Sequence, residues 1–352
     1  MEVMQYTFDG EARTLQISEG DPNRPVVVLL HGTSGNRHDM MDPATNPDHN
    51  FDHQSPLSPD KDIGWRSYPG IGITDVGLDA KKPVRSWQDA LEEHGFSTVA
   101  YDQVDPEGLL ERPVRELDTV MMILIGRFRM IEPRFVLLAH SRGGLLVRSY
   151  LKTRPRTASW VSHVITLHSP HDGSRLANVA NSLRDAIDTL ESVAGSVVDD
   201  ALGWLMNLVD TDAYRELAVN SPFLVDLRQG EAPVPGVSYF TFGGTSVRYT
   251  RIIVWHYTLG SAFPQWHWPP FFHRTTAVEM PIASPIADSL PNLTPEVSEG
   301  SGDLLTADSN CRLPFGVHTV NQVNHAEALW DRSLQSQVLR ILGVMEEPNI
   351  WQ

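Results

Sequence analysis

The chain has one cysteine, Cys311, in 352 residues. An internal disulfide is therefore excluded, and a reducing compartment is slightly favoured. Cations are scarce. Lys and Arg number 28 against 44 Asp and Glu, for a formal net charge of -16. Phosphates would be repelled, which excludes nucleic acid as a partner and disfavours a polybasic grip on anionic lipid. No apolar run is long enough to span a bilayer, so no transmembrane segment is expected. The opening residues, Met-Glu-Val-Met-Gln-Tyr, lack both a basic n-region and an apolar h-region. No signal peptide is visible there, so a cytoplasmic location is expected, with secretion left open. No internal repeat occurs. What is present is a hydrophobic content of 41%, enough for an ample core in one large domain or two small ones.

The chain is organised around Phe135-Val-Leu-Leu-Ala-His-Ser-Arg-Gly-Gly144 and the following Leu145-Leu-Val-Arg-Ser-Tyr-Leu151. This reads as a short buried strand, a sharp turn and a helix that starts at the serine. Ser141 stands between two small residues, Ala139 and Gly143. Small neighbours at minus two and plus two are needed where a strained strand-to-helix turn lifts a hydroxyl above a sheet. The helix N-terminus directs unpaired N–H groups at any negative charge forming there. The pattern is the nucleophile elbow G-x-S-x-G, with Ala at the first position.

Around it, short apolar runs alternate with helical stretches. Residues 4–18 form a hairpin across Asp9-Gly10. Pro25-Val-Val-Val-Leu-Leu30 is a continuous apolar run suited to a strand buried on both faces, and it ends in His31-Gly32-Thr33-Ser34-Gly35. Residues 36–70 read as a solvated loop, because their His and Asp residues fit no metal-ligand spacing. Residues 84–94 and 107–130 read as helices, and Phe96–Tyr101 and Val161–Leu167 as strands. Strand, helix, strand at short spacing indicates an α/β fold with a mostly parallel central sheet and helices on both faces, whose chemistry sits at the carboxyl ends of the strands. Residues 1–174 form the first part of this core. Residues 175–235 turn helical and read as a cap or lid, with a plain helical side layer as the alternative. Residues 236–246 return as a core strand. Residues 247–300 are an aromatic-rich, proline-interrupted insertion, including Tyr249, Trp255, Trp266 and Phe272. They read as a loop-rich lining for an apolar substrate or lipid surface, or as a small core of their own. Residues 301–352 complete the core with a strand at 317–323 and a helix at 326–345.

A serine hydroxyl needs a base, an acid that orients the base, and donors for the developing oxyanion. In this fold the order is Ser, then Asp or Glu, then His. Ser141, Asp303 and His325 supply it. The oxyanion donors would be the backbone N–H groups of Thr33 and Arg142. His318 competes as base, Asp308 as acid, and Asp102 and Asp172 are weaker acids. His140 reads as a positioning residue and His171 as ordering its turn.

These segments resemble an α/β-hydrolase of the bacterial triacylglycerol-lipase and carboxylesterase type. Leu-Leu-His31-Gly32 resembles that family's oxyanion strand, and Ala139-His140-Ser141-Arg142-Gly143-Gly144 its elbow. Leu167-His-Ser-Pro170-His171-Asp-Gly173-Ser174 is similar to its T-P-H-x-G-S turn, Gly302-Asp303-Leu-Leu to the stretch around its acid, and Val323-Asn324-His325-Ala-Glu327 to its segment around the base. The 22 residues from Asp303 to His325 match the interval expected there. The resemblance covers about half the chain and neither insertion. It implies a serine hydrolase cleaving carboxylic esters, a hydrophobic acyl or aromatic ester among them, through an acyl-enzyme. An amidase, a lactonase or a lipid deacylase would use the same three residues, and a hydrolase-fold protein that only binds is the alternative of another class. The expected partner is a small-molecule or lipid ester, with the oligomeric state open. No cofactor is expected. Calcium, often held near the base in those lipases, is disfavoured because Glu327 replaces an aspartate and Met280–Ile286 is apolar. Leu304 departs from the glycine common after the acid.

Overall fold

Five-residue apolar runs punctuated by helices build one large sheet. The computed structural model describes residues 1–43, 65–67, 73–78, 85–129, 131–132, 134–178, 211–259, 272–283 and 294–344. Twelve strands lie in them. These are β1 Glu2–Phe8, β2 Glu11–Ser18, β3 Val26–Leu30, β4 Trp65–Ser67, β5 Ile73–Leu78 and β6 Ser97–Tyr101, then β7 Phe135–His140, β8 Val161–Leu167, β9 Ser238–Gly244, β10 Arg248–Leu259, β11 Phe272–Ala283 and β12 Val317–Asn321. Eight of them pair in the order β1-β2-β6-β3-β7-β8-β9-β12. From β6 to β12 every pairing is parallel, and β2 joins β6 antiparallel. The hairpin β1–β2 turns at Asp9 (φ 48) and Gly10 (φ 84), the left-handed pair that a two-residue turn of matching twist requires.

The described helices are α1 His38–Met41, α2 Trp87–Glu92, α3 Glu111–Arg127, α4 Gly143–Thr153, α5 Pro155–Ala158, α6 Arg175–Asn178, α7 Asp212–Glu216, α8 Pro222–Arg228 and α9 Arg332–Ile341. They cover both faces of the sheet. Val26, Val28, Leu30, Leu137 and Ala139 pack with Leu117 and Val120 of α3 and Leu146 and Tyr150 of α4. Val27, Leu29, Val136 and Leu138 point the other way, onto Trp87 and Leu91 of α2 and Leu334 and Val338 of α9. Successive strand residues face opposite sides, so a strand covered on both must be apolar throughout. Each fully buried Val or Leu contributes roughly 1.5–3 kcal/mol of hydrophobic stabilisation. The helix expected over 84–94 is set by a capping box between Ser86 and Asp89.

Three expectations need correction. The stretch from residue 36 is not wholly a solvated loop: α1 packs Met40 into the core, and Asp39 is buried. Residues 65–67 are β4, and 44–64 lie outside the described residues. The insertion 247–300 is not loop-rich throughout. Its strands β10 and β11 form a long antiparallel hairpin, and β10 also pairs with β5, in the order β11-β10-β5-β4. Pro281 falls on β11, an edge strand, where a residue without an N–H is tolerated. The closing helix starts at Arg332 rather than 326, because Glu327–Leu329 is a tight single turn.

In the segment read as a cap, α7 and α8 place Tyr214, Leu224 and Leu227 in the cluster that includes α4. The apolar group from Leu202 to Val209 lies outside the described residues.

Candidate active site

Ser141 follows β7 directly, at φ 54. A left-handed, non-glycine backbone here marks stored strain. The turn is held by Ser141 N–H donating to Leu167 O at 2.9 Å. The helix proper starts at Gly143, two residues later than expected, with Arg142 as its N-cap. The need for a small residue two positions after the serine is plain. A Cβ on Gly143 would lie 2.7 Å from His31 O. The β3 turn is equally close: a Cβ on Gly32 would lie 2.7 Å from Ser141 Cβ. Gly32 therefore sits against the serine. Thr33 Oγ1 is shielded from solvent with no partner among the described residues. His31 keeps the turn in shape: its Nε2 accepts from Gln103 N–H at 3.0 Å, and Gln103 Nε2 donates to His31 O at 2.7 Å.

The three residues singled out for chemistry meet. Ser141 Oγ lies 2.9 Å from His325 Nε2, and His325 Nδ1 lies 2.9 Å from Asp303 Oδ2. They arrive from the ends of β7, the loop after β12, and the loop before it. The two loops are tied by His325 N–H donating to Asp303 O at 2.9 Å. Asp303 is fully buried. Its Oδ1 accepts from the backbone N–H of Leu305 at 3.0 Å and Thr306 at 2.7 Å. Burial pushes its carboxyl up, but the charge and hydrogen bond of His325, with the His168 imidazole beside Oδ2, outweigh that and hold it well below the usual carboxylate range. Leu304, standing where the resembled family has glycine, takes φ 93. The turn after the acid needs a conformation that glycine adopts without strain and leucine does not.

His140 is buried, its Nε2 lies 3.0 Å from His325 O, and its ring centroid is 4.8 Å from that of His325. Burial, then the charge of His325, pushes its imidazole well below the ordinary value, so it is neutral and donates its proton to the carbonyl. His171 Nε2 lies 2.9 Å from Thr166 Oγ1 of β8, tying its turn back to the strand. The alternatives for base and acid are elsewhere. His318 Nε2 lies 2.9 Å from Asp308 Oδ1, and its Nδ1 lies 2.8 Å from Thr241 Oγ1. Asp102 pairs with Arg37, and Asp172 lies 3.5 Å from Arg228. Glu327 and Asp331, near the base, are occupied by backbone donors: Asn324 N–H at 3.0 Å and Leu334 N–H at 2.8 Å.

Two features escaped the sequence reading. Arg142 donates to Glu216 of α7 at 2.8 Å and to the carbonyls of Pro106 and Gly108, while Glu216 also accepts from Leu110 N–H at 3.1 Å. This buried ion pair fastens α7 to the elbow. His168, at the end of β8, has Nδ1 2.8 Å from Asp303 Oδ2. Its place at the carboxyl end of a central strand was the available signal. Possible ligand atoms of His168, Asp303 and His325 lie within 4.8 Å of one another. The two imidazole nitrogens lie 2.8 and 2.9 Å from Asp303 Oδ2.

Among solved structures, the chain is similar to the lipase BlEst2 of Bacillus licheniformis in its mature form, at 17% identity and TM-score 0.54 over 94% of this chain and 98% of that one. The same enzyme's propeptide form gives 16% and 0.53, over 95% of this chain and 54% of that one. The fold is that of the α/β-hydrolases. A metagenomic carboxyl esterase, MGS0156, is more distant, at 13% identity and TM-score 0.46 over 87% of this chain and 66% of that one. No protein-family model matches this α/β-hydrolase-fold chain, and neither does any curated protein sequence. Among the described residues, no helix is long and apolar enough to cross a membrane.

Proposed function

We propose that the protein is a serine hydrolase of carboxylic esters that works through an acyl-enzyme. The observation that carries this is the continuous line Ser141 Oγ, His325 Nε2, His325 Nδ1, Asp303 Oδ2, with 2.9 Å at each hydrogen bond. His325 Nε2 takes the proton from Ser141 as Oγ bonds to the ester carbonyl carbon. The carbonyl oxygen becomes an oxyanion, facing the backbone N–H groups of Thr33 and Arg142. His325 then returns the proton to the departing alcohol as the C–O bond breaks. Water repeats the sequence on the acyl-enzyme, releasing the acid and restoring Ser141. Asp303, kept ionised, holds His325 with its proton on Nδ1, so that Nε2 is the basic nitrogen.

A lipase among the proteins of this fold and the aromatic content of 247–300 support a hydrophobic acyl or aromatic ester. Ser141→Ala should cut ester hydrolysis by roughly 10³-fold or more and abolish labelling by a fluorophosphonate probe. Unaltered hydrolysis in that variant would overturn the mechanism. A panel of short and long p-nitrophenyl esters with the matching amides tests the substrate. Long esters should be turned over fastest, and a preference for amides would redirect the reading to an amidase.

A further inference from the structure

His168 is fully buried, at the carboxyl end of β8, with φ 52. Its ring meets that of His325 edge-on, with centroids 6.0 Å apart. Its Cε1 lies close to Gly244 at the end of β9, where a Cβ would lie 2.4 Å from it. The Asp303 carboxylate is thereby fully engaged. One oxygen takes two backbone amides, and the other, Oδ2, has His325 Nδ1 at 2.9 Å and His168 Nδ1 at 2.8 Å. The two imidazoles approach that oxygen differently. His325 makes a well-directed hydrogen bond, whereas the His168 Nδ1–H points obliquely to Oδ2, so its contact is electrostatic.

A nitrogen lone pair held 2.8 Å from a carboxylate oxygen would be repelled, so His168 carries its proton on Nδ1. Its Nε2 is then buried without a partner. An unpaired buried nitrogen and a left-handed backbone both lower stability. A glycine at this position would avoid both. The compensating contact is the one with Asp303.

We infer that His168 is a positioning residue for the reaction proposed above: it shares Asp303 Oδ2 with His325 and so sets how strongly His325 binds its second proton. The inference rests on that reading of Ser141, His325 and Asp303. With part of the carboxylate charge drawn to His168, less remains to stabilise the His325 imidazolium. His325 therefore stays in its basic form to lower pH and releases its proton to the leaving alcohol more readily. The other titratable groups around this cluster are His140, which is neutral, and Cys311, whose thiol burial keeps protonated. Neither turns a donor to Oδ2: His140 bonds His325 O and Cys311 Sγ donates to Ala307 O.

The test compares the full-length protein with His168→Gly, which removes the donor and suits the left-handed backbone, and His168→Asn, which suits it and keeps an N–H donor. In His168→Gly the acid limb of the kcat/KM profile for a p-nitrophenyl ester should move up by about one pH unit with KM little changed, and His168→Asn should restore most of that shift. A purely structural role would lower stability and leave the limb in place. An unmoved limb in a folded His168→Gly therefore overturns the inference, as does a shift that His168→Asn fails to reverse. If the glycine variant does not fold, proton NMR of the unsubstituted protein and of Ser141→Ala decides. The far-downfield Nδ1–H resonances of His168 and His325 should shift together as His325 titrates, and independent behaviour overturns the inference. If the unsubstituted protein neither hydrolyses esters nor labels at Ser141, the proposed function falls instead, and the NMR coupling remains a separate result.

Discussion

Among the described residues, two chains of hydroxyl, imidazole and carboxylate have similar spacings, one at the end of β7 and one on β9. One is Ser141–His325–Asp303, and the other is Thr241–His318–Asp308, with 2.8 Å from Thr241 to His318 and 2.9 Å from His318 to Asp308. The differences lie in the backbone. Ser141 stands off the end of β7 at φ 54, next to an N-cap whose N–H groups lie outside the helical ladder. Thr241 lies inside β9, paired with Thr166 of β8 on one side and His318 of β12 on the other, and is 1% exposed. Its neighbours' N–H groups belong to the sheet, so nothing there is available to hold an oxyanion. The imidazoles are also reversed: Nε2 of His325 faces its hydroxyl, while Nδ1 of His318 faces Thr241. Contact among the three groups is therefore not sufficient for nucleophilic chemistry. A strained turn and N–H donors outside the helical ladder distinguish the reactive arrangement from the structural one.

Substitutions matched between the two chains would break this comparison if it is wrong. The largest expected effect is at the acids. Asp303→Asn should lower kcat by about 10³–10⁴-fold by allowing the wrong His325 tautomer, with KM little changed. Asp308→Asn should leave kcat essentially intact and lower the unfolding free energy by about 1–3 kcal/mol, read by urea denaturation. Comparable losses of kcat at both sites would mean that the second chain also takes part in catalysis. Next in size is Thr241→Val, which keeps the shape and leaves His318 Nδ1 unpaired. It should cost about 1–2 kcal/mol of stability at unchanged turnover.

The smallest expected effect is in the pH dependence of folding, and it sharpens the contrast between neutral and charged buried groups. Burial pushes His140 and His171 well below their ordinary value, so the unfolded chain binds their protons first. Their contribution to stability is complete above the unfolded value of about 6.5 and is lost as pH falls below it. Asp303 is depressed as a carboxylate, so its contribution persists down to its unfolded value of about 3.9 and is lost only as pH falls further, towards its folded value. Thermal melts should show Tm declining between pH 7 and 5, then more steeply below pH 4. His140→Gln, which can still donate to His325 O, should flatten the first decline. A Tm that is level from pH 7 to 5 would contradict the burial of neutral imidazoles.

Much of the site was legible because its parts are local. Ala139, Ser141 and Gly143 are spaced for a tight turn, His31-Gly32 ends an apolar run, and Asn324-His325 follows the last strand. The strands were legible because parallel sheets covered on both faces require unbroken apolar runs, as at Val26–Leu30. What was missed depends on partners distant in sequence. Aromatics and prolines in 247–300 suggested loops, yet β10 pairs with β5, which lies far upstream, and its partner β11 tolerates Pro281 at an edge. Glu216 looks like any helix carboxylate until Arg142 is found against it. His168 was read as one residue of a turn motif, because its contact with Asp303 crosses more than a hundred positions of chain.

The sequence by itself determined the alternation of strands and helices and the order of serine, acid and base. Both follow from side-chain periodicity and turn chemistry, which act over a few residues. Only the tertiary structure decided which carboxylate meets which imidazole, and that Asp303 Oδ2 is shared by His168 and His325 while Asp308 goes to His318. Those choices depend on strand order and loop closure, which bring residues from opposite ends of the chain within 3 Å, a distance that local propensity does not specify.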